Sequence, residues 1–266
     1  MEVLWKYIGY ALIYPISGLV GGLLISGMHA CFEHIWYYFL EYLAYRKLIR
    51  RLAPSIPITV TSYKKESFWA VTLAPVVVSA FVFAFRDGYF ERCKFSMDIF
   101  GSWYFTWVIM ILHDAYFWVV HTVLHKFKSL YTLIHQGHHS TSGDITVFST
   151  AFGEFLDLAV TITPFYSGVI LWIYLQPNWN PLGLIFLAWA MHGVNLMGHC
   201  GYDLPAWVYI PGSLGVLLTP LAQRPKHHYI HHLDPRFNRS LYFTWWDRLA
   251  GTFKAYHPKI VEPTYM

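Results

Sequence analysis

KHHYIHH, residues 226–232, places four histidines in seven positions near the end of an apolar chain. A purification tag would be a plain run at a terminus, but more than thirty residues follow this stretch, and it has companions. HTVLH stands at 121–125 and HQGHH at 135–139. The spacings are those of a helical face. His121 and His125 are one turn apart, with their β-carbons about 5–6 Å from each other. His135, His138 and His139 form HxxHH, which on a helix puts all three on one face, and His228, His231 and His232 repeat that pattern. His199 and, one turn before it, Asn195 complete the group. An isolated HxxxH is more often a surface or core pair than a ligand pair. Two copies of HxxHH together with an HxxxH favour metal.

Composition fixes the setting. The 266 residues are 56% hydrophobic and 20% aromatic but only 13% charged, with a mean hydropathy of +0.37. Soluble domains carry about 25% charged residues, so the chain reads as a membrane protein, and its length allows one compact unit. Five segments have the roughly 20 apolar residues a span needs: 7–28, 68–85, 99–120, 155–175 and 181–198. Gly18, Gly21, Gly22 and Gly27 give the first a close-packing face, and QPNWNP at 176–181 is the turn of a hairpin between the last two. Fifteen Lys and Arg fall on one side of these spans and four on the other, so the richer side is cytoplasmic. The amino terminus then faces away from the cytoplasm. If the first segment is re-entrant the terminus flips and nothing downstream changes. Every histidine cluster falls on the cytoplasmic side at one level, which was no input to the span assignment. The net charge of +4 has no dense basic face, so nucleic acid is excluded as a partner. Cys31, Cys93 and Cys200 form neither a disulfide framework nor a CxxC knuckle.

The ligand count is nine: His121, His125, His135, His138, His139, His199, His228, His231 and His232. One zinc takes four, so nine imidazoles fit two metals with four or five nitrogens each. An all-nitrogen shell suits iron, zinc or copper rather than calcium or magnesium. No ExxH repeat points to a carboxylate-bridged bundle. His192, two turns before His199, is a tenth ligand or an outer hydrogen-bond donor. His113 lies two turns deeper than His121 and has a helper role or an internal hydrogen bond. His227 breaks the HxxHH register, and His29, His34 and His257 are ordinary.

From about 110 to 256 the chain resembles the fatty acid hydroxylase and sterol desaturase superfamily of histidine-rich membrane oxygenases. The resemblance rests on Asp114 seven residues before HTVLH, then HQGHHS, GVNLMGHCGYDLP and HHYIHH. It closes on FNRSLYFTWWDRLAGTF with Trp246, Asp247, Arg248, Gly251 and Thr252. There are departures. Thr122 replaces the arginine of the first box, Trp118 the tyrosine three before it, and Asn195 stands where some relatives have a histidine. The tail leans toward sterol C-5 desaturases and their bacterial relatives.

The resemblance implies two irons held by those histidines, with zinc able to satisfy the same ligands. It implies O₂ activation and attack on an unactivated C–H bond of a lipid such as a sterol or a fatty acyl chain. Hydroxylation and desaturation share the first hydrogen abstraction. Asp114 and Asn195 are the candidate catalytic helpers. Asp114 is expected to hold an imidazole N–H from outside, and Asn195 to act as a water-bridged or weaker ligand. Glu154, Asp157, Asp203, Asp234 and Asp247 are further acidic neighbours, with Asp247 expected to pair with Arg248. Trp103, Trp107, Trp172, Trp179 and Trp189 read as interface and packing. No fused haem-binding HPGG stretch and no GxGxxG fingerprint occur. Electrons would therefore come from a separate cytochrome b5, ferredoxin or reductase on the basic cytoplasmic face.

The expected architecture is an all-α integral-membrane bundle of four to five spans with a cytoplasmic helical cap around a dimetal site. It forms a single membrane domain over 1–266: N-terminal spans and basic loop 1–98, histidine-box region 99–256, tail 257–266. It would lie in the endoplasmic reticulum of a eukaryote or the inner membrane of a bacterium. Three readings compete. A haem electron carrier needs one or two histidine pairs inside the bilayer, and a zinc transporter or sensor needs midplane sites. The third is a metal-binding relative without turnover.

Overall fold

The computed structural model describes residues 31–52, 97–141, 145–151, 193–205 and 221–257. It also describes short stretches at 94–95, 156–157, 159–161 and 178–179, and the positions 23, 27, 186, 190 and 208. In chain order the elements that build the site are helix α1 (31–45), strand β1 (Arg50–Arg51) and helix α2 (Ile99–Lys126). A helical run at 193–198, strand β2 (Tyr202–Asp203), and helices α3 (Pro225–Leu233) and α4 (Trp245–Leu249) follow.

The long helix α2 starts where the Asp98 carboxylate accepts the Gly101 N–H at 2.9 Å, and ends where Phe127 turns extended. Its 28 residues reach about 42 Å at 1.5 Å per residue. Its buried face mixes polar groups with apolar Ile109, Met110, Phe117 and Leu124, and its exposed face is rich in apolar side chains. Ser102, Thr106, His113, Asp114 and His121 are buried, while Ile99, Phe100, Tyr104, Leu112, Val119 and Val123 are exposed. Buried polar groups behind an apolar exposed face are the pattern of a helix surrounded by lipid. Among the described residues α2 is the one helix long and apolar enough to cross a membrane. The expected span 99–120 thus runs on to Lys126. The segments 7–28, 68–85, 155–175 and 181–198 lie largely outside the described residues, as do His192, Glu154, Trp172 and Trp189.

The structure is mostly helical but not purely so. β1 pairs antiparallel with β2, Arg50 opposite Asp203 and Arg51 opposite Tyr202, and Lys94–Phe95 pairs parallel with Asn178–Trp179. The β1–β2 ribbon is reinforced by side chains. The Tyr202 hydroxyl donates to Glu41 of α1 at 2.5 Å, Glu41 also pairs with Arg51, and the Arg51 guanidinium lies over the Tyr202 ring. The core beneath joins Leu40 and Leu43 of α1, Ile109 and Met110 of α2, Val194 and Met197, and Tyr242 and Phe243.

Gly201 makes the turn between His199 and β2. Its φ is +75°, and a β-carbon there would meet the Ile145 carbonyl oxygen at 2.4 Å. Its own carbonyl accepts the Leu52 N–H at 2.9 Å. Gly201→Ala should cost about 1–3 kcal/mol from the left-handed backbone alone, with the clash added. A fall in the thermal midpoint of the detergent-solubilised protein measures it. An unchanged midpoint would mean that the turn tolerates a side chain.

Candidate metal centre

Nine imidazoles converge beside the C-terminal end of α2. His121, His125, His135, His139 and His231 form one group and His138, His199, His228 and His232 another, the potential ligand atoms of each lying within 4.8 Å of one another. The groups adjoin, with ring centroids 5.1 Å apart for His135 and His138 and 4.7 Å for His139 and His232.

The local backbone explains the sorting. In α3, Pro225 supplies the first helical residue, and the Arg224 N–H donates to Nδ1 of His227 at 3.2 Å. His227 is thus a helix cap, outside both groups. HQGHH does not continue a regular helix. A π turn over Tyr131–His135 gives way at Gln136 and Gly137 to a 3₁₀ turn over His138–Thr141, an irregularity common at functional sites. Each HxxHH divides its histidines in the same manner. Its first and last members, four apart, enter one group, and its middle histidine crosses to the other: His138 away from His135 and His139, His231 away from His228 and His232.

The outer ring nitrogens fix the tautomers. Nδ1 of His121 donates to the Arg239 carbonyl at 2.7 Å, Nδ1 of His231 to that of Phe237 at 2.8 Å, and Nδ1 of His199 to that of Asn195 at 2.9 Å. A carbonyl oxygen only accepts, so these three rings carry hydrogen on Nδ1 and a lone pair on Nε2. His135 is held through Nδ1 by the Asp157 carboxylate at 2.8 Å. Within the groups seven neighbouring pairs of Nε2 atoms lie 2.8 to 3.3 Å apart. Between His121 and His135 and between His121 and His231 both tautomers are fixed, so lone pairs face each other and repel unless a cation lies between them. Burial, with neighbouring imidazoles adding to it, pushes His228, His231 and His232 well below the usual imidazole range and keeps them neutral. Neutral, buried, inward-aimed nitrogens are the donor set of a borderline metal ion. The residues fit a metal pair.

The chemistry-bearing residues around the groups divide differently from expectation. Asp114 hydrogen-bonds no imidazole among the described residues. It accepts the backbone N–H groups of Leu241, Tyr242 and Phe243 at 2.8, 2.7 and 3.2 Å, because α2 presents it to the returning C-terminal segment. Asp247 forms no ion pair with Arg248. It is fully buried and accepts from the Arg239 and Ser240 N–H groups, the Thr252 hydroxyl and the Trp118 indole. Trp118, the departure before the first box, thus has a partner. The Arg248 guanidinium lies over the Phe253 ring instead. Asn195 reaches His199 through its main-chain carbonyl. His113 hydrogen-bonds Tyr242 and Thr161 rather than either group, and His34 packs on Phe148. The carbonyls of Arg239 and Phe237 had no signal in the sequence, since any residue type supplies one. Left-handed Asn238, between them at φ 52°, was the nearest clue.

The model of the family described as fatty acid hydroxylase matches residues 106–252, more than half of the chain and all nine histidines of the two groups. The chain belongs to the fatty acid hydroxylase family. As a member of that family it is 28% identical over 178 residues to methylsterol monooxygenase 1 of Rattus norvegicus, covering 63% of this chain and 54% of that protein. It is 28% identical over 214 residues to a cholesterol 25-hydroxylase-like protein of Danio rerio, covering 77% and 79%. A very-long-chain aldehyde decarbonylase of Oryza sativa subsp. indica is 26% identical over 148 residues, 55% of this chain and 23% of that protein. The chain spans about half the length of the rat protein and of a second zebrafish relative, cholesterol 25-hydroxylase-like protein 1, member 2. No solved structure matches it.

Within this fatty acid hydroxylase fold, Asp157 is the one described carboxylate that touches a clustered imidazole. Asp157→Ala should lower metal affinity about 10–100-fold, as loss of an outer partner does, and chelator competition reads the change. Affinity equal to that of the unaltered chain would show that His135 needs no external holder.

Proposed function

We propose that the chain is a dioxygen-dependent membrane oxygenase that hydroxylates or desaturates a lipid. His121, His125, His135, His139 and His231 would hold one iron, and His138, His199, His228 and His232 the other. The observation that carries this reading is the convergence of nine Nε2 atoms into adjoining sets of five and four, with the outer nitrogens of four rings held by carbonyls and a carboxylate. When bound, an iron pair supplies O₂ activation and the oxidising power to attack a C–H bond.

The protein's own residues do the rest. The Arg239, Phe237 and Asn195 carbonyls and the Asp157 carboxylate aim the rings of His121, His231, His199 and His135 and keep their protons on Nδ1. Burial of the cluster excludes bulk water, so neutral ligands leave the metals their full charge. The exposed apolar face of α2 gives the substrate a lipid-side approach, in a multi-pass protein of four to five spans whose site faces the cytoplasm. The names of the rat and zebrafish relatives favour a sterol among apolar substrates. Exposed Arg46, Lys47 and Arg50 offer a basic surface to an external electron donor such as cytochrome b5, a ferredoxin or a reductase. The membrane is the endoplasmic reticulum membrane of a eukaryotic host or the inner membrane of a bacterial one.

The test is metal identity and stoichiometry on protein purified from its own membrane, followed by O₂ uptake with sterol and fatty acyl substrates. Two irons per chain and lipid-dependent uptake are expected. Two zincs that iron cannot replace with gain of uptake would sink the oxygenase reading and leave the ligand sets. One metal or none would overturn both.

A further inference from the structure

Away from both histidine groups, a tyrosine and a histidine form a pair that metal binding does not use. Tyr242 is wholly buried, and its hydroxyl lies 3.0 Å from Nδ1 of His113, itself 4% exposed. Nε2 of His113 lies 3.0 Å from the Thr161 carbonyl. That carbonyl can only accept, so the ring hydrogen is on Nε2, and Nδ1 offers its lone pair to the phenol. Tyr242 is therefore the donor and His113 the acceptor. Asp114 holds the Tyr242 backbone N–H at 2.7 Å and fixes the ring's place.

The pair also has a route to the metals. His113, Phe117 and His121 follow one another at four-residue spacing on the buried face of α2. Ring centroids are 5.6 Å apart from Tyr242 to His113, 6.3 Å from His113 to Phe117 and 4.8 Å from Phe117 to His121. His121 belongs to the five-histidine group. An unbroken file of aromatic rings thus joins a buried phenol to a ligand.

We propose that Tyr242 is a redox-active residue that gives one electron to the metal centre while its phenolic proton passes to Nδ1 of His113. This rests on the oxygenase reading, because the oxidant is the metal centre after it has reacted with O₂. The phenolic O–H bond breaks and an N–H bond forms on His113. The phenol loses one electron and becomes a neutral radical, and the metal centre is reduced by one electron. Without a placed acceptor, oxidation would leave a phenol cation in a dry interior, where an unpaired charge is costly. His113 removes that obstacle, and the imidazolium it becomes keeps its Nε2–H bond to Thr161. The electron donor of the enzyme later returns the radical to phenol. The pair thereby discharges the oxidised centre when no lipid is in place.

The experiment is electron paramagnetic resonance on the full metal-loaded protein, reduced, mixed with O₂ without lipid and freeze-quenched, with O₂ uptake and metal content recorded on the same samples. The expected result is a tyrosyl radical that is lost in Tyr242→Phe, a change that removes only the hydroxyl and leaves metal content unaltered. With isotope-labelled histidine, the radical should also show a coupling to one histidine hydrogen bond. O₂ uptake without a radical, or a radical that persists in Tyr242→Phe, would overturn the proposal and leave the oxygenase reading standing. A radical with no histidine coupling would overturn the pairing with His113. Two bound metals with no O₂ uptake would instead refute the oxygenase reading, and this role with it.

Discussion

Protein carrying His199→Ala should bind one metal where the unaltered chain binds two. His199 belongs to the four-member group, so its loss leaves three nitrogens: His138, His228 and His232. The five-member group keeps all of its own. The contrasting variant is His231→Ala, which still leaves four nitrogens, enough for a tetrahedral ion. Outer partners alone are worth about 10–100-fold in affinity or activity, so removal of a ligand from the smaller set should lower turnover at least about 100-fold. Metal analysis by mass spectrometry separates the variants. Equal metal content in His199→Ala and His231→Ala would mean that the division into five and four is not how the ions are shared.

The second large effect falls on Asp114. Its carboxylate accepts three backbone N–H groups in the segment Leu241–Phe243, and it is wholly buried. Asp114→Ala strands those donors at about 1–3 kcal/mol each. The total is comparable with a marginal net stability of about 5–15 kcal/mol. The variant should therefore fail to accumulate as folded protein, seen as lost monodisperse material in size-exclusion chromatography. Asp114→Asn keeps one acceptor oxygen and turns an amide donor toward another donor, which should lower the thermal midpoint without abolishing folding. If Asp114→Ala folded normally and lost only turnover, Asp114 would be a catalytic helper as its position in the sequence suggests, and the clamp would be incidental.

That contrast shows what one-dimensional spacing reveals. His121 and His125 were legible because a helix repeats every turn. The two HxxHH stretches were legible as parts of one histidine cluster, but not how they divide. The reason is geometric: members four apart stack along one side, while the third, set off around the axis, meets the neighbouring group. HQGHH adds a bend at Gln136 and Gly137 that a uniform helix does not contain. The partners of Asp114 were not legible because they are backbone groups 127 to 129 positions away, and amides have no residue identity. Asp247 beside Arg248 looked like an ion pair, yet the α4 geometry turns the carboxylate inward to four donors. The apolar helix α2 was plain because hydropathy over a long run needs no partner to be read.

The ribbon between β1 and β2 sets the boundaries of what can be exchanged between relatives. The family segment begins at 106, yet Tyr202 inside it is gripped by Glu41 and Arg51 outside it, three residues from His199. Lys226 at the start of α3 adds a contact of 3.3 Å to Asp203 on the same strand. A chimaera that imported only 106–252 from a relative would set a foreign residue against Glu41. It should bind metal at the four-member group less tightly than one that imported 31–257, and chelator titration of the two would show it. The cassette that evolution or an engineer can move as a whole is thus wider than the histidines it contains.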